Sequence, residues 1–170
     1  MYAMTIANPI QAATECKPSA HPPQILNILV AVDFSDYSRA ALDYATFLAE
    51  GFGATLTLAH AVEPYIYPED LSAGLTIDQI DSRWMQKQKE KMETLRQTIK
   101  EGIPAVVVVT MGTAWNQIIA MAKSWNADLI VIGTHGRTGL KHALMGSTAE
   151  RVVRHATCPV LVVHAPGNPS

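Results

Sequence analysis

Five short apolar runs constrain this chain more than any other feature. They lie at 26–32, 54–62, 105–110, 128–132 and 159–164, and each is followed by a turn or by residues with helical spacing. The first, Leu-Asn-Ile-Leu-Val-Ala-Val, is nearly continuous, which suits a strand buried on both faces of a parallel sheet. Between the runs the period changes to three and four. Ser35 reads as the N-cap of a helix to about Glu50, with Ala41, Tyr44, Ala45, Phe47 and Leu48 inward and Gly51 and Gly53 as its stop. Thr76 to Gln79 matches a capping box and opens a long helix to about Glu101, with Ile77, Ile80, Trp84, Met92, Leu95 and Ile99 inward. Gly112 and Thr113 begin a third helix, with Trp115, Ile118, Ile119, Ala122 and Trp125 inward and Asn126 closing it. Ser147 to His155 is a short fourth, with Val152 and Val153 inward. Strands alternating with helices imply a parallel sheet covered on both faces, a doubly wound, Rossmann-like α/β domain. A closed barrel needs about eight such units and ~250 residues.

The chain has 170 residues, enough for one domain with a proper core. A formal net charge of −2 gives no footprint for nucleic acid or an anionic membrane. The lysines and acids of 83–100 interleave, as on a solvated helix face. Cys16 and Cys158 do not make a disulfide framework and read as reduced thiols of a cytosolic protein. No apolar run approaches the ~20 residues of a membrane span, and no charged and apolar pair of segments at the start resembles a signal peptide. Residues 1–24, with four prolines, read as a flexible extension, 25–165 as the domain and 166–170 as a tail.

Chemistry in an open α/β sheet sits past the carboxyl ends of the strands, where strand order reverses. Three features fall there: Asp33 after strand one, Ala61 and Val62 after strand two, and the glycine loop that follows Ile132. Asp33 can accept a hydrogen bond from a ribose hydroxyl, hold a divalent cation, or simply complement the dipole of the helix it precedes. Gly133 and Gly136 allow positive φ and a close approach of phosphate to the main chain. Gly146 does the same where the fourth helix starts, with the Ser147 hydroxyl and the free N–H groups of 147–149. The bland alternative is that these are turn glycines of a tight connection. Arg137 is a ready phosphate partner. His135 either touches phosphate or caps the loop with its ring in solvent. The six histidines have no helical ligand spacing and no cysteine pair, so no zinc site is expected. A lysine-bearing P-loop, a Gly-x-Gly-x-x-Gly turn and a Gly-x-Ser-x-Gly elbow are all missing.

Gly133-x₂-Gly136-x₉-Gly146-Ser147 resembles the signature of the ATP-binding branch of the universal stress protein family. Ile28 to Ser35, His60-Ala-Val and Thr157 to Val163 resemble that family's first, second and last strands, so the resemblance covers about 25–165. It implies a five-stranded parallel sheet in order 3-2-1-4-5 and a cytoplasmic homodimer pairing through 160–163. It also implies site roles: Asp33 on the ribose or adenine side of ATP, Ala31, Ala61 and Ile132 around adenine, and Gly133, Gly136, Arg137, Gly146, Ser147 and Thr148 on the triphosphate. Mg²⁺ or Mn²⁺ can accompany the nucleotide, with Asp33 as a candidate ligand. Ala31 stands where many relatives have proline, Ala61 is smaller than the usual residue, and the extension before Gln24 has no counterpart.

The leading functional expectation is an ATP-dependent regulatory or stress-response module. The sequence offers no evident general base or phosphoryl-transfer lysine, so any hydrolysis should be slow. The alternatives are a slow nucleotide hydrolase or transferase on the same fold, and a dimeric interaction protein that uses no nucleotide.

Overall fold

A computed structural model describes residues 24–63, 77–136 and 145–165. Five strands form one parallel sheet: β1 (Asn27–Ala31), β2 (Thr55–Val62), β3 (Ala105–Met111), β4 (Leu129–Gly133) and β5 (Val160–Val163). Their order is β3-β2-β1-β4-β5, so the chain reverses direction across the sheet between β1 and β4, as expected. Four helices make the crossovers: α1 (Asp36–Phe52), α2 (Ile77–Arg96), α3 (Ala114–Ser124) and α4 (Ser147–His155).

Strand alternation divides the core into two halves. Ile28, Val30, Leu56, Leu58 and Val131 point to one face, where α1 and α2 pack. Leu29, Ala31, Ala59, Ile130 and Ile132 point to the other, under α3 and α4. Ile28, Leu29, Leu56, Leu58 and Ile130 are fully buried, each worth about 1.5–3 kcal/mol relative to exposure. The β1–β4 pair is also pinned at its base. The Asp128 carboxylate accepts from the N–H groups of Leu26 and Asn27, both at 2.9 Å.

Several helix details agree with the sequence. Ser35 caps α1, its hydroxyl accepting from Ser38 N–H, and Gly53 ends the helix at φ 67°. Asn126, at φ 48°, follows the end of α3. Other expectations fail. Tyr44 and Phe47 are 56% and 72% exposed, because α1 lies on the sheet through the small side chains of Ala41, Ala45 and Ala49. Small residues let the helix approach closely and leave the bulky rings on its flank. Trp125 and Val153 are likewise exposed, and Trp84 is only partly covered. Beyond Arg96 the chain tightens into i→i+3 turns, Thr98 N–H to Leu95 O and Ile99 N–H to Arg96 O, which stop α2 short of Glu101. The capping residue Thr76 lies outside the described residues.

Candidate nucleotide-binding site

A cavity of about 860 Å³ opens over the carboxyl ends of β1, β2 and β4. Ala31, Asp33, Ala61 and Ile132 line it from the strand ends. Gly133, Gly136 and Gly146 line it from the loop after β4, and Ser147 and Thr148 from the start of α4. Of the nucleotide-site residues expected from the sequence, Arg137 alone lies outside the described residues.

The glycines are needed for space rather than for positive φ. None of the three adopts a left-handed conformation; among the described residues the glycines that do are Gly53, Gly102 and Gly112. A Cβ on Gly133 would stand 2.8 Å from the backbone carbonyl carbon of Tyr37, and one on Gly136 would stand 2.7 Å from Asp33 Oδ2. A Cβ on Gly146 would meet Thr134 O at 3.3 Å. The Gly146 N–H donates to that same oxygen at 2.7 Å, drawing the start of α4 back onto the end of β4. Gly146 is the N-cap and offers no side-chain cap. Ser147, Thr148 and Ala149 all line the cavity. First-turn N–H groups have no acceptor within their own helix and carry the positive end of its dipole, so this wall favours an anion.

Asp33 is set by a local turn. Its Oδ1 accepts from the N–H of Ser35 at 3.0 Å and from the Ser35 hydroxyl. That turn places Phe34 at φ 66°, a costly conformation for a side chain with a Cβ. The Phe34 ring lies against His60, centroids 4.9 Å apart. His60 is buried, and its Nδ1–H donates to Val32 O at 2.7 Å, which fixes its tautomer.

His135 does not point into solvent as one reading expected. Its ring lies 5.2 Å from that of Tyr37, with Nδ1 buried. Sequence reasoning also missed Thr134, whose hydroxyl is buried without a partner among the described residues, and Ser38 and Ile118 on the cavity wall. The largest omission is α2, which contributes Trp84 and Gln88. The signal was present: the inward series Ile80, Trp84, Met92, Leu95 leaves a gap at 88, filled by a polar residue that the structure buries.

The cavity is of a size that takes a nucleotide, and the start of α4 gives it a wall that favours an anion. Asp33 can supply the single carboxylate that Mg²⁺ commonly takes beside phosphate oxygens. Among the described residues no group of three or more His, Cys, Asp or Glu could hold a metal ion by itself. Away from the cavity, burial raises the pKa of the Cys158 thiol, and the nearby Asp128 charge raises it further. No helix among the described residues is long and apolar enough to cross a membrane.

The model of the universal stress protein family matches residues 25–164. The chain belongs to that family. Universal stress protein MJ0531 of Methanocaldococcus jannaschii is 34% identical over 142 residues, which is 82% of this chain and 82% of that protein. Universal stress protein YxiE of Bacillus subtilis is 32% identical over 143 residues, covering 80% of this chain and 97% of its own. Among solved structures, MJ0577 of M. jannaschii superposes with a TM-score of 0.73 at 25% identity, over 85% of this chain and 99% of that one. A universal stress protein in complex with cAMP has a TM-score of 0.61 at 23% identity, over 84% and 99% of the two chains. The Archaeoglobus fulgidus universal stress protein in complex with dAMP has a TM-score of 0.52 at 20% identity, over 82% and 98%. These last two are likenesses of fold.

Proposed function

We propose that this universal stress protein binds ATP across the cavity and acts as a nucleotide-dependent regulatory module of the stress response. The observation that carries the reading is one cavity bounded by the crowded glycines, the start of α4 and Asp33. Universal stress proteins of the same fold hold cAMP and dAMP, which supports an adenine nucleotide here. Gly133, Gly136, Gly146, Ser147 and Thr148 take the phosphates, with Arg137 joining from the loop. Asp33 takes the ribose, or the Mg²⁺ or Mn²⁺ that travels with the triphosphate. Ala31, Ala61 and Ile132 flank adenine. Among the described residues no lysine or arginine lines the cavity. Backbone N–H groups therefore do the holding, and turnover is slow at most.

The unit that does this is 25–165, with 1–24 and 166–170 as appendages, and it works in the cytoplasm as a homodimer. β5 is an edge strand whose Val160, Leu161 and Val162 are only partly buried, and an apolar edge calls for a pairing partner.

The test is direct. The protein is purified, denatured, and its supernatant chromatographed for adenine nucleotide; the refolded protein is then melted with and without Mg-ATP. Released nucleotide, or a stabilisation of about 2.7 kcal/mol at a hundredfold excess over Kd, is the expected result. Neither release nor shift would leave a dimer that works without nucleotide. Multiple turnovers lost in Asp33→Ala would instead make it a slow hydrolase.

A further inference from the structure

We propose that Gln88 reads the base of the bound nucleotide, with Trp84 as the surface on which that base stacks. The inference rests on the nucleotide reading above and adds the group that selects the base.

The order of strands fixes which end of the cavity receives the base. The phosphate cradle belongs to β4, Asp33 to the end of β1, and Ala61 to β2. Neighbouring strands are about 4.8 Å apart, so β2 and β4 stand roughly 10 Å apart with β1 between them. Phosphate at β4 and ribose over Asp33 send the base toward β2. Two helices pack on β2, α3 from one face and α2, which also covers β3, from the other. Trp84 and Gln88 of α2 both line the cavity, and a spacing of four puts them on one face of the helix, one turn apart.

Gln88 is a polar side chain that the fold sets into the cavity wall. It is 5% exposed, and no hydrogen-bond partner for its carboxamide lies among the described residues. Without a ligand such an amide bonds water, and a ligand that pairs with it takes the water's place. Its oxygen accepts and its –NH₂ donates, side by side and in one plane. The edge of adenine offers the complement, an N6–H donor beside a ring-nitrogen acceptor. Trp84, 43% exposed, presents an aromatic face on the adjoining turn. Base-on-aromatic stacking accepts any base, so discrimination falls to Gln88.

The chemistry of the side chain dictates the test. Gln88→Leu removes both polar atoms and leaves an apolar side chain one bond shorter. Gln88→Glu leaves acceptors only, which suit the N1–H and N2–H donors of guanine. Wild type and both variants are titrated calorimetrically with ATP, GTP and inorganic tripolyphosphate. Gln88→Leu is expected to weaken ATP about tenfold with tripolyphosphate unchanged, and Gln88→Glu to shift the ATP/GTP preference toward GTP. Equal ATP affinity in wild type and Gln88→Leu overturns the proposal. So does a loss shared equally by ATP and tripolyphosphate, which marks a structural defect. Should Gln88→Leu not fold, Gln88→Met carries the same comparison. If wild type binds neither ATP nor tripolyphosphate, it is the nucleotide reading that fails. Adenosine then decides Gln88: a melting shift in wild type that Gln88→Leu lacks sustains its role, and an equal or absent shift ends it.

Discussion

The two crowded glycines of the cradle should fail in different ways when given a methyl group. In Gly133→Ala the new Cβ stands 2.8 Å from the carbonyl carbon and Cβ of Tyr37 and 2.9 Å from its carbonyl oxygen. Those atoms belong to the first turn of α1 and cannot swing aside, so α1 must move off β4. The φ of Gly133 is not left-handed, and alanine meets no conformational penalty there. The whole effect is overpacking, about 1–3 kcal/mol, and melting falls by roughly 2–4 °C for each kcal/mol in a chain of this size. In Gly136→Ala the obstacle is a side chain, Asp33 Oδ2 at 2.7 Å. The carboxylate can rotate, at the expense of the bonds that hold Oδ1 to Ser35. Melting should therefore fall less than in Gly133→Ala, while ATP affinity falls at least about tenfold as Asp33 leaves its place. Gly51→Ala is the control. It lies within α1 with nothing inside 4 Å of the new methyl group, and should stabilise by about 0.5–1 kcal/mol. Scanning calorimetry and nucleotide titration read all three. If Gly133→Ala melts with wild type, or Gly136→Ala binds ATP normally, the steric account of the cradle is wrong.

Three further predictions concern other parts of the fold. Ile130 N–H and Thr134 N–H bond to Pro159 O and Val163 O, so alternation turns the N–H of Val162 to the open edge. Val162→Pro should make the proposed homodimer monomeric by light scattering with its circular dichroism intact, and a variant that stays dimeric would place the interface elsewhere. At Phe34, φ 66° suits glycine but not alanine. Phe34→Gly should thus be more stable than Phe34→Ala by about 1–2 kcal/mol; equal melting temperatures would deny the strain. For Cys158 the folded pKa lies above the unfolded one, chiefly through burial. The thiol is protonated in both states below about pH 8.5 and contributes nothing there. Above that pH the unfolded chain ionises first, so stability declines as pH rises. In a Cys16→Ser background, Cys158 should alkylate more slowly at pH 8 than glutathione does, and an equal or faster rate would contradict the burial.

The strands and the cradle were legible because each rests on a demand that residue identity records directly. A strand covered on both faces must be apolar throughout, and 28–32 and 129–132 are. Where other atoms stand within 3 Å of the place a Cβ would take, only glycine fits, so Gly133 beside the Tyr37 backbone and Gly136 beside Asp33 Oδ2 show the close approach even though the sequence suggested other causes, positive φ and room for phosphate. The exposed rings of α1 were not legible. Tyr44 and Phe47 share the spacing of Ala41, Ala45 and Leu48 closely enough to read as one apolar face. Which part of a wide apolar arc touches the sheet depends on how near the helix lies, and the alanines decide that only once the helix is docked.

The part played by α2 was hidden for a different reason. The helix starts near the carboxyl end of β2 and runs back along the sheet to reach β3. Its later turns lie over the strands, and Met92 and Leu95 pack into the core there. Its earlier turns, as far as Gln88, overhang the strand ends, where the same face meets the cavity through Trp84 and Gln88. Helical periodicity marks the sheltered face of a helix without distinguishing a core from a ligand chamber. What differs along this face is polarity. At position 92 a methionine fills packed space, whereas at 88 a carboxamide lines the cavity with no bond to a described residue. A packed core selects against such a group, whereas a wall that meets water or a polar ligand can carry it.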